Sequence, residues 1–141
     1  MTEPLLTTSI VLASGSPRRQ GLLRDAGANI RVVAPPIDEP SHRPAGMSPR
    51  QWAEALSHFK ARCVAGMGYQ DDCILAADTV CAIGDRVVGK AADAEEARRI
   101  LRELSRTPHQ VITGVTVLCP GKRLIASDLT TVFMRPMSEA E

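Results

Sequence analysis

Aromatic residues are scarce in this 141-residue chain: Trp52, Phe59, Tyr69 and Phe133 make up only 3% of it. The core must therefore be aliphatic, and a nucleic-acid surface built on stacked aromatics is not expected. No sign of charge dominates. Seventeen Lys and Arg against sixteen Asp and Glu leave a formal net charge of +1. Such a balance supplies no general field for nucleic acid or membrane, so any anion must be held by local clustering. Cys63, Cys73, Cys81 and Cys119 show no C-x-x-C spacing, and no paired histidines lie nearby, which argues against zinc. The first thirteen residues, MTEPLLTTSIVLA, lack a basic leader region, and no apolar run approaches membrane-spanning length. A cytoplasmic chain with four reduced thiols is the expectation.

The remaining composition is ordinary, with 44% apolar and 23% charged residues, and the length suits one domain over 1–141. SIVLA at 9–13 reads as a buried strand. Ser16 and Pro17 then open a helix whose apolar face is Leu22, Leu23 and Ala26, with Gly27 as its stop. IRVVA at 30–34 is a second strand, followed by a proline-rich loop. Ser48, Pro49 and Gln51 form a capping box for a helix carrying Trp52, Leu56, Phe59 and Cys63 at helical spacing. CILAADTVCAI at 73–83 is a strand broken by the polar pair Asp78-Thr79. Asp93 and Glu96 cap a third helix, with Ala97, Ile100, Leu101 and Leu104 as its buried stripe. HQVITGVTVLC and RLIASDLTTVFM, joined at Pro120-Gly121-Lys122, form a hairpin. The order β-α-β-α-β-β-α-β-β predicts a mixed α/β fold, a twisted central sheet flanked by helices.

Chemistry concentrates at a few points. In SGSPRR a strand runs into a helix through small residues, so free N–H groups and the positive helix end face one spot. Ser14 and Ser16 add hydroxyls, and Arg18 and Arg19 add donor forks suited to phosphate. Cations in a first helical turn oppose the macrodipole by a few tenths to about 1 kcal/mol, a cost that an anion would reverse. On these residues alone, a phosphate clamp and a solvated helix start stand level. Asp78, at the end of an aliphatic strand, must be paired, capped or metal-bound. Lys90 after Gly89, Lys60 on the helix opened by Ser48, and Asp38-Glu39 in the proline-rich loop are each ordinary by themselves. Together they would suit a polyphosphate with a divalent metal.

LASGSPRRQGLL, DE at 38–39, AADTV with GK downstream, and DAEEARRILRELSRTPHQVITGV resemble, in order and spacing, the Maf family of nucleotide pyrophosphatases, once described as septum-formation inhibitors. The likeness covers about residues 10–137. It implies an inosine triphosphate pyrophosphatase-like fold and metal-dependent (Mg2+ or Mn2+) hydrolysis of a nucleoside triphosphate to monophosphate and pyrophosphate. Asp78 would then be the general base. Arg18, Arg19, Lys60 and Lys90 would hold the triphosphate, with Ser14 and Ser16 in the turn against it, and Glu39 with Asp78 would place the metal. Arg18 and Thr79 match the branch acting on dTTP and UTP, with modified pyrimidine nucleotides as further candidates. The family's C-terminal Gln motif has no counterpart here. SEAE at 138–141 writes a helix start with no helix behind it, so the chain is expected to be a truncated Maf protein lacking the C-terminal part of the family fold. A catalytically impaired nucleotide-binding or division-regulating protein, and a 7-methyl-GTP pyrophosphatase, stand as alternatives. Family members are often homodimers, though the sequence shows no interface; neither nucleic acid nor membrane is expected as a partner.

Overall fold

A computed structural model describes residues 9–36 and 38–141; the leader reading on residues 1–8 lies outside them. The elements are β1 (Ile10–Leu12), α1 (Pro17–Asp25), β2 (Ile30–Val32), α2 (Pro49–Val64), a π-helical turn (Ala65–Tyr69), β3 (Cys73–Ile83), β4 (Arg86–Val88), α3 (Ala94–Arg106), β5 (His109–Cys119) and β6 (Lys122–Val132). Their order is the one expected. They form a six-stranded mixed sheet in the order β2-β1-β3-β5-β6, with β4 also paired to β3. β1 runs parallel to β2 and β3, while β4, β5 and β6 add antiparallel pairings.

Local chemistry accounts for the helix starts. Ser16 Oγ accepts from the Arg19 N–H, and Ser48 and Gln51 complete a reciprocal capping box. Asp93 accepts from the Glu96 N–H. After α1 the chain turns through Gly27 at φ +82°, a backbone state that glycine adopts without a Cβ penalty.

β3 alternates with period two. Ile74, Ala76, Asp78, Val80 and Ala82 face α2, while Leu75, Ala77 and Thr79 face the other side of the sheet. The core lies on the α2 side and is aliphatic, as the composition required. One cluster joins Val11, Ala13, Ile74 and Ala76 to Ala61 and Val64; a second joins Val80, Ala82 and Ile112 to Trp52, Ala53 and Leu56. Between them run two polar contacts, Ser57 Oγ to Thr116 Oγ1 at 2.7 Å and Lys60 to Asp78.

Gly114, opposite Asp78 in the β3–β5 register, sets how closely α2 can approach. A Cβ placed on it would lie 2.3 Å from the Ala53 carbonyl carbon and oxygen, well inside contact.

Three expectations need correction. The face proposed for α1 is not buried: no α1 residue is, and Leu22 is 64% exposed. The α3 stripe is not buried either, with Leu101 43% exposed. Among the described residues, α3 is tied by polar contacts, Arg86 to Glu103 and Arg102 to Glu139. Leu22 lies on the sheet face opposite α2, which stays largely open, and α3 packs closely on no other helix or strand among the described residues. Finally, the four cysteines are not all free thiols. Cys73 and Cys119 are joined as a disulfide, because β3 and β5 bring residues 46 apart in sequence to neighbouring positions with Cα atoms 4.2 Å apart. Cys63 and Cys81 remain free.

Candidate active site

The site grows out of a notch in one edge of β3. On that edge β1 pairs only with residues 73–75 and β4 only with 81–83, which leaves 76–80 without a strand partner. The carboxyl end of β1 is held at the notch by the Ala13 N–H donating to the Leu75 carbonyl at 2.8 Å. From there the chain passes through Ser14, Gly15 and Ser16 into α1. Open sheets carry ligands outside the carboxyl ends of parallel strands, and this turn lies at such an end.

Arg19 fills the notch. Its guanidinium donates to the Ala77 carbonyl at 3.0 Å and to Thr79 Oγ1 at 3.1 Å. This satisfies a strand carbonyl that no neighbouring strand reaches. The two arginines therefore differ: Arg19 is anchored to β3, whereas Arg18 is exposed at the rim. Ser14 Oγ accepts from the Ser16 N–H at 3.0 Å, and Ser16 Oγ accepts from Arg19. Each hydroxyl keeps its own proton to donate outward.

On the opposite face, α2 delivers Lys60. Its ammonium lies 2.5 Å from Asp78 Oδ1 and 2.6 Å from Glu39 Oε1. Glu39 arrives on the proline-rich loop, which Arg43 pins to the β3–β4 turn through the Asp85 carbonyl at 2.6 Å. Asp38, its neighbour, stays exposed. Burial pushes the Asp78 carboxyl above the usual carboxylate range; the Lys60 hydrogen bond and charge oppose that shift, and the Glu39 charge adds to it. Asp78 and Glu39 thus converge on one cationic point, which the Lys60 ammonium fills. Among the described residues no group of three or more His, Cys, Asp or Glu side chains could hold a metal.

Two cavities meet at Ser16 and Arg19. One, of about 350 Å3, is of mixed lining and carries the polar side chains of Ser14, Ser16, Arg19, Glu39 and Lys60. The other, of about 640 Å3, lies on the open sheet face and is mostly apolar, with Leu22, Leu75, Val111 and Val115 in its walls and Arg18 and Thr79 at its polar end. Lys90 is exposed and forms no ion pair among the described residues. β4 nevertheless runs back along β3, leaving it at Val88 opposite Cys81, so Lys90 follows on the way toward the level of Thr79.

The 9–141 segment matches the family model described as Maf-like protein. The chain belongs to the Maf family. It is 42% identical over 134 residues to a dTTP/UTP pyrophosphatase of Pelotomaculum thermopropionicum, covering 94% of this chain and 69% of that one. Identity is also 42% over 135 residues to a dTTP/UTP pyrophosphatase of Cytophaga hutchinsonii, covering 96% and 61%. The chain thus spans about three fifths to two thirds of the length of these Maf relatives. Among solved structures, the Staphylococcus aureus Ham1 protein superposes with a TM-score of 0.60 at 14% identity, over 88% of this chain and 70% of that one. A Mycobacterium abscessus nucleoside-triphosphatase, dITP/XTP pyrophosphatase, gives 0.51 at 17%, over 88% and 71%. At such identity these two establish the fold.

Two residues around the candidate site escaped sequence reasoning. Thr113 Oγ1 lies 2.9 Å from Thr79 Oγ1 and shares a hydrogen bond with it. Gly114 lets α2, and so Lys60, come close. A glycine inside an otherwise β-branched strand was the signal for the second; nothing short of the β3–β5 register marks the first. Among the described residues no helix is long and apolar enough to cross a membrane.

Proposed function

We propose that this chain carries the catalytic centre of a metal-dependent nucleoside triphosphate pyrophosphatase acting on dTTP and UTP. The observation that carries the proposal is the Lys60 ammonium held between two converging carboxylates, Asp78 and Glu39, next to the serine turn of α1. Two carboxylates aimed at one cationic point make a fitting donor pair for Mg2+ or Mn2+, with phosphate oxygens and water as the remaining ligands. When bound, the ion would polarise the phosphate and neutralise its charge.

The chain's own residues supply the rest. Ser14, Ser16 and the N-terminal N–H groups of α1 face the smaller cavity as donors for phosphate oxygens. Arg18 and Lys90 provide exposed cations, Lys60 adds a third once it turns from its carboxylates, and Arg19 fixes the turn relative to β3. Phosphoryl chemistry depends mainly on such positioning and charge, so cations outnumber bases. Asp78 takes the proton of the water attacking the α-phosphorus. Its upward-shifted pKa suits that task, since a base works best when its pKa approaches the working pH. For this step Lys60 must turn from Asp78 toward the phosphates. The base and sugar occupy the apolar cleft, reached past Ser16 and Arg19, with Thr79 at its polar end. A nucleotide substrate fits the cytoplasmic location expected from the sequence.

Incubation with UTP and Mg2+ tests the proposal. UMP and pyrophosphate in equal amounts are expected; orthophosphate alone, or 7-methyl-GTP strongly preferred over UTP and dTTP, would overturn it.

A further inference from the structure

At the far end of β3 from the notch lies a feature that the proposed reaction does not use. Cys73 opens β3, Cys119 closes β5, and both are half-buried. An open cavity of about 420 Å3 has Cys119, but not Cys73, in its wall. The same wall carries Arg62, Lys122 and Arg123. Lys122 is the register partner of Cys119 in the β5–β6 hairpin, and Arg123 is the partner of Leu118. Among the described residues none of these three cations is in an ion pair. Their fields reach further: the charges of Arg123 and Arg62, after burial, hold the His58 imidazole below its usual range.

We infer that the Cys73–Cys119 pair is a thiol-exchange site, entered through this basic pocket and selective for small anionic thiols. A cationic rim concentrates an anionic reagent beside the sulfur that the pocket exposes. Entry from the pocket directs attack onto Cys119. The incoming thiolate forms a bond to Cys119 Sγ as the Cys119–Cys73 bond breaks, and the electron pair leaves on Cys73 Sγ, which takes up a proton. A second thiolate attacks the incoming sulfur of the mixed disulfide. This frees Cys119 and releases the reagent's own disulfide: one protein disulfide is reduced by two electrons while two small thiols are oxidised. Cys63 and Cys81 do not compete, because burial raises the pKa of both thiols.

Glutathione, which is anionic, and cysteamine, which is cationic, serve as probes. The air-equilibrated chain should show two titratable thiols when denatured. At equal thiolate concentration glutathione should open the disulfide about tenfold faster than cysteamine, and the Lys122→Gln/Arg123→Gln variant should erase most of that difference. In Cys73→Ser, oxidised glutathione should leave its adduct on Cys119, whereas Cys119→Ser should react at Cys73 far more slowly. Four titratable thiols in the air-equilibrated protein, equal rates for the two probes, or an adduct favouring Cys73 would each overturn the inference. The thiol count and the probe comparison need only the unmodified chain, so a variant that folds poorly leaves the test intact.

Discussion

Gly114→Ala should disturb both the core and the site through a single methyl group. The new Cβ would sit 2.3 Å from Ala53 backbone atoms and 2.5 Å from the Glu54 nitrogen, where ordinary contact begins at 3.4 Å. These are backbone atoms inside a 16-residue helix, so no rotamer change can relieve the clash. The helix must retreat by about 1 Å, the difference between 2.3 and 3.4 Å. Overpacking of this kind costs about 1–3 kcal/mol. With unfolding entropy near 2.1 cal/mol/K per residue, that converts to a Tm lowered by roughly 3–10 °C for a chain of this length. Lys60 lies seven residues after Ala53, two turns along the same helix face, so it moves with the helix. Displacing a positioned charge by about 1 Å costs on the order of 100-fold in rate. Thermal melting by circular dichroism and pyrophosphate release from UTP would be measured on one preparation. A variant melting within 1 °C of the parent with its rate retained would refute the claim that α2 is seated by this glycine.

Asp78→Asn should cut turnover by about 10³, measured as pyrophosphate release, without lowering Tm, since burial already disfavours its charged form. Because its folded pKa is raised, the stability Asp78 contributes is fully present below the ordinary aspartate range and is lost as pH rises through the folded value; activity, which needs the carboxylate, moves the opposite way. The acid limb of kcat/KM should therefore lie above the ordinary aspartate pKa, and Lys60→Met should move it higher still by removing the group that opposes the shift. Arg19→Ala should lower stability by about 1–2 kcal/mol, through loss of its bonds to Ala77 and Thr79, whereas Arg18→Ala and Lys90→Ala should slow the reaction with Tm unchanged. Reducing the Cys73–Cys119 bond, which closes a 46-residue separation, should cost at most about 4 kcal/mol on chain-entropy grounds, read as a lower Tm in the presence of dithiothreitol.

Elements were legible in the sequence wherever local chemistry decides them. Ser48 with Gln51, and Asp93 with Glu96, mark helix starts because the cap bonds form within four residues. The strand at 73–83 was legible as an aliphatic run bounded by turns. Burial was less legible. Leu22 and Leu101 sit in helical patterns that would cover a sheet, but whether anything faces them depends on the layers as assembled, and one sheet face is open. Pairings across strands were invisible for the same reason. Cys73 and Cys119, like Thr79 and Thr113, become neighbours only through the β3–β5 register, which no local pattern writes. Of the candidate residues, Ser14, Ser16, Arg19, Glu39, Lys60, Asp78 and Thr79 gather around the notch, Arg18 stands at its rim, and Lys90 remains on the approach.

Asp78 and Thr79 also explain why a polar pair is tolerated inside an apolar strand. Consecutive strand residues face opposite sides of a sheet, so the pair cannot serve one surface. Asp78 turns toward α2, where Lys60 neutralises it among Ala76, Val80 and other buried side chains. Thr79 turns toward the open cleft, where Arg19 and Thr113 satisfy its hydroxyl. The notch makes this arrangement workable. Without strand partners at 76–80 on that edge, α1 can bring its serine turn and Arg19 directly against the strand. Had β1 or β4 been longer by a few residues, a ladder would have closed the edge and separated Asp78 from the serine turn at the start of α1. The shortness of two three-residue strands is thus part of the site. Extending either of them should abolish activity while preserving, or even raising, stability.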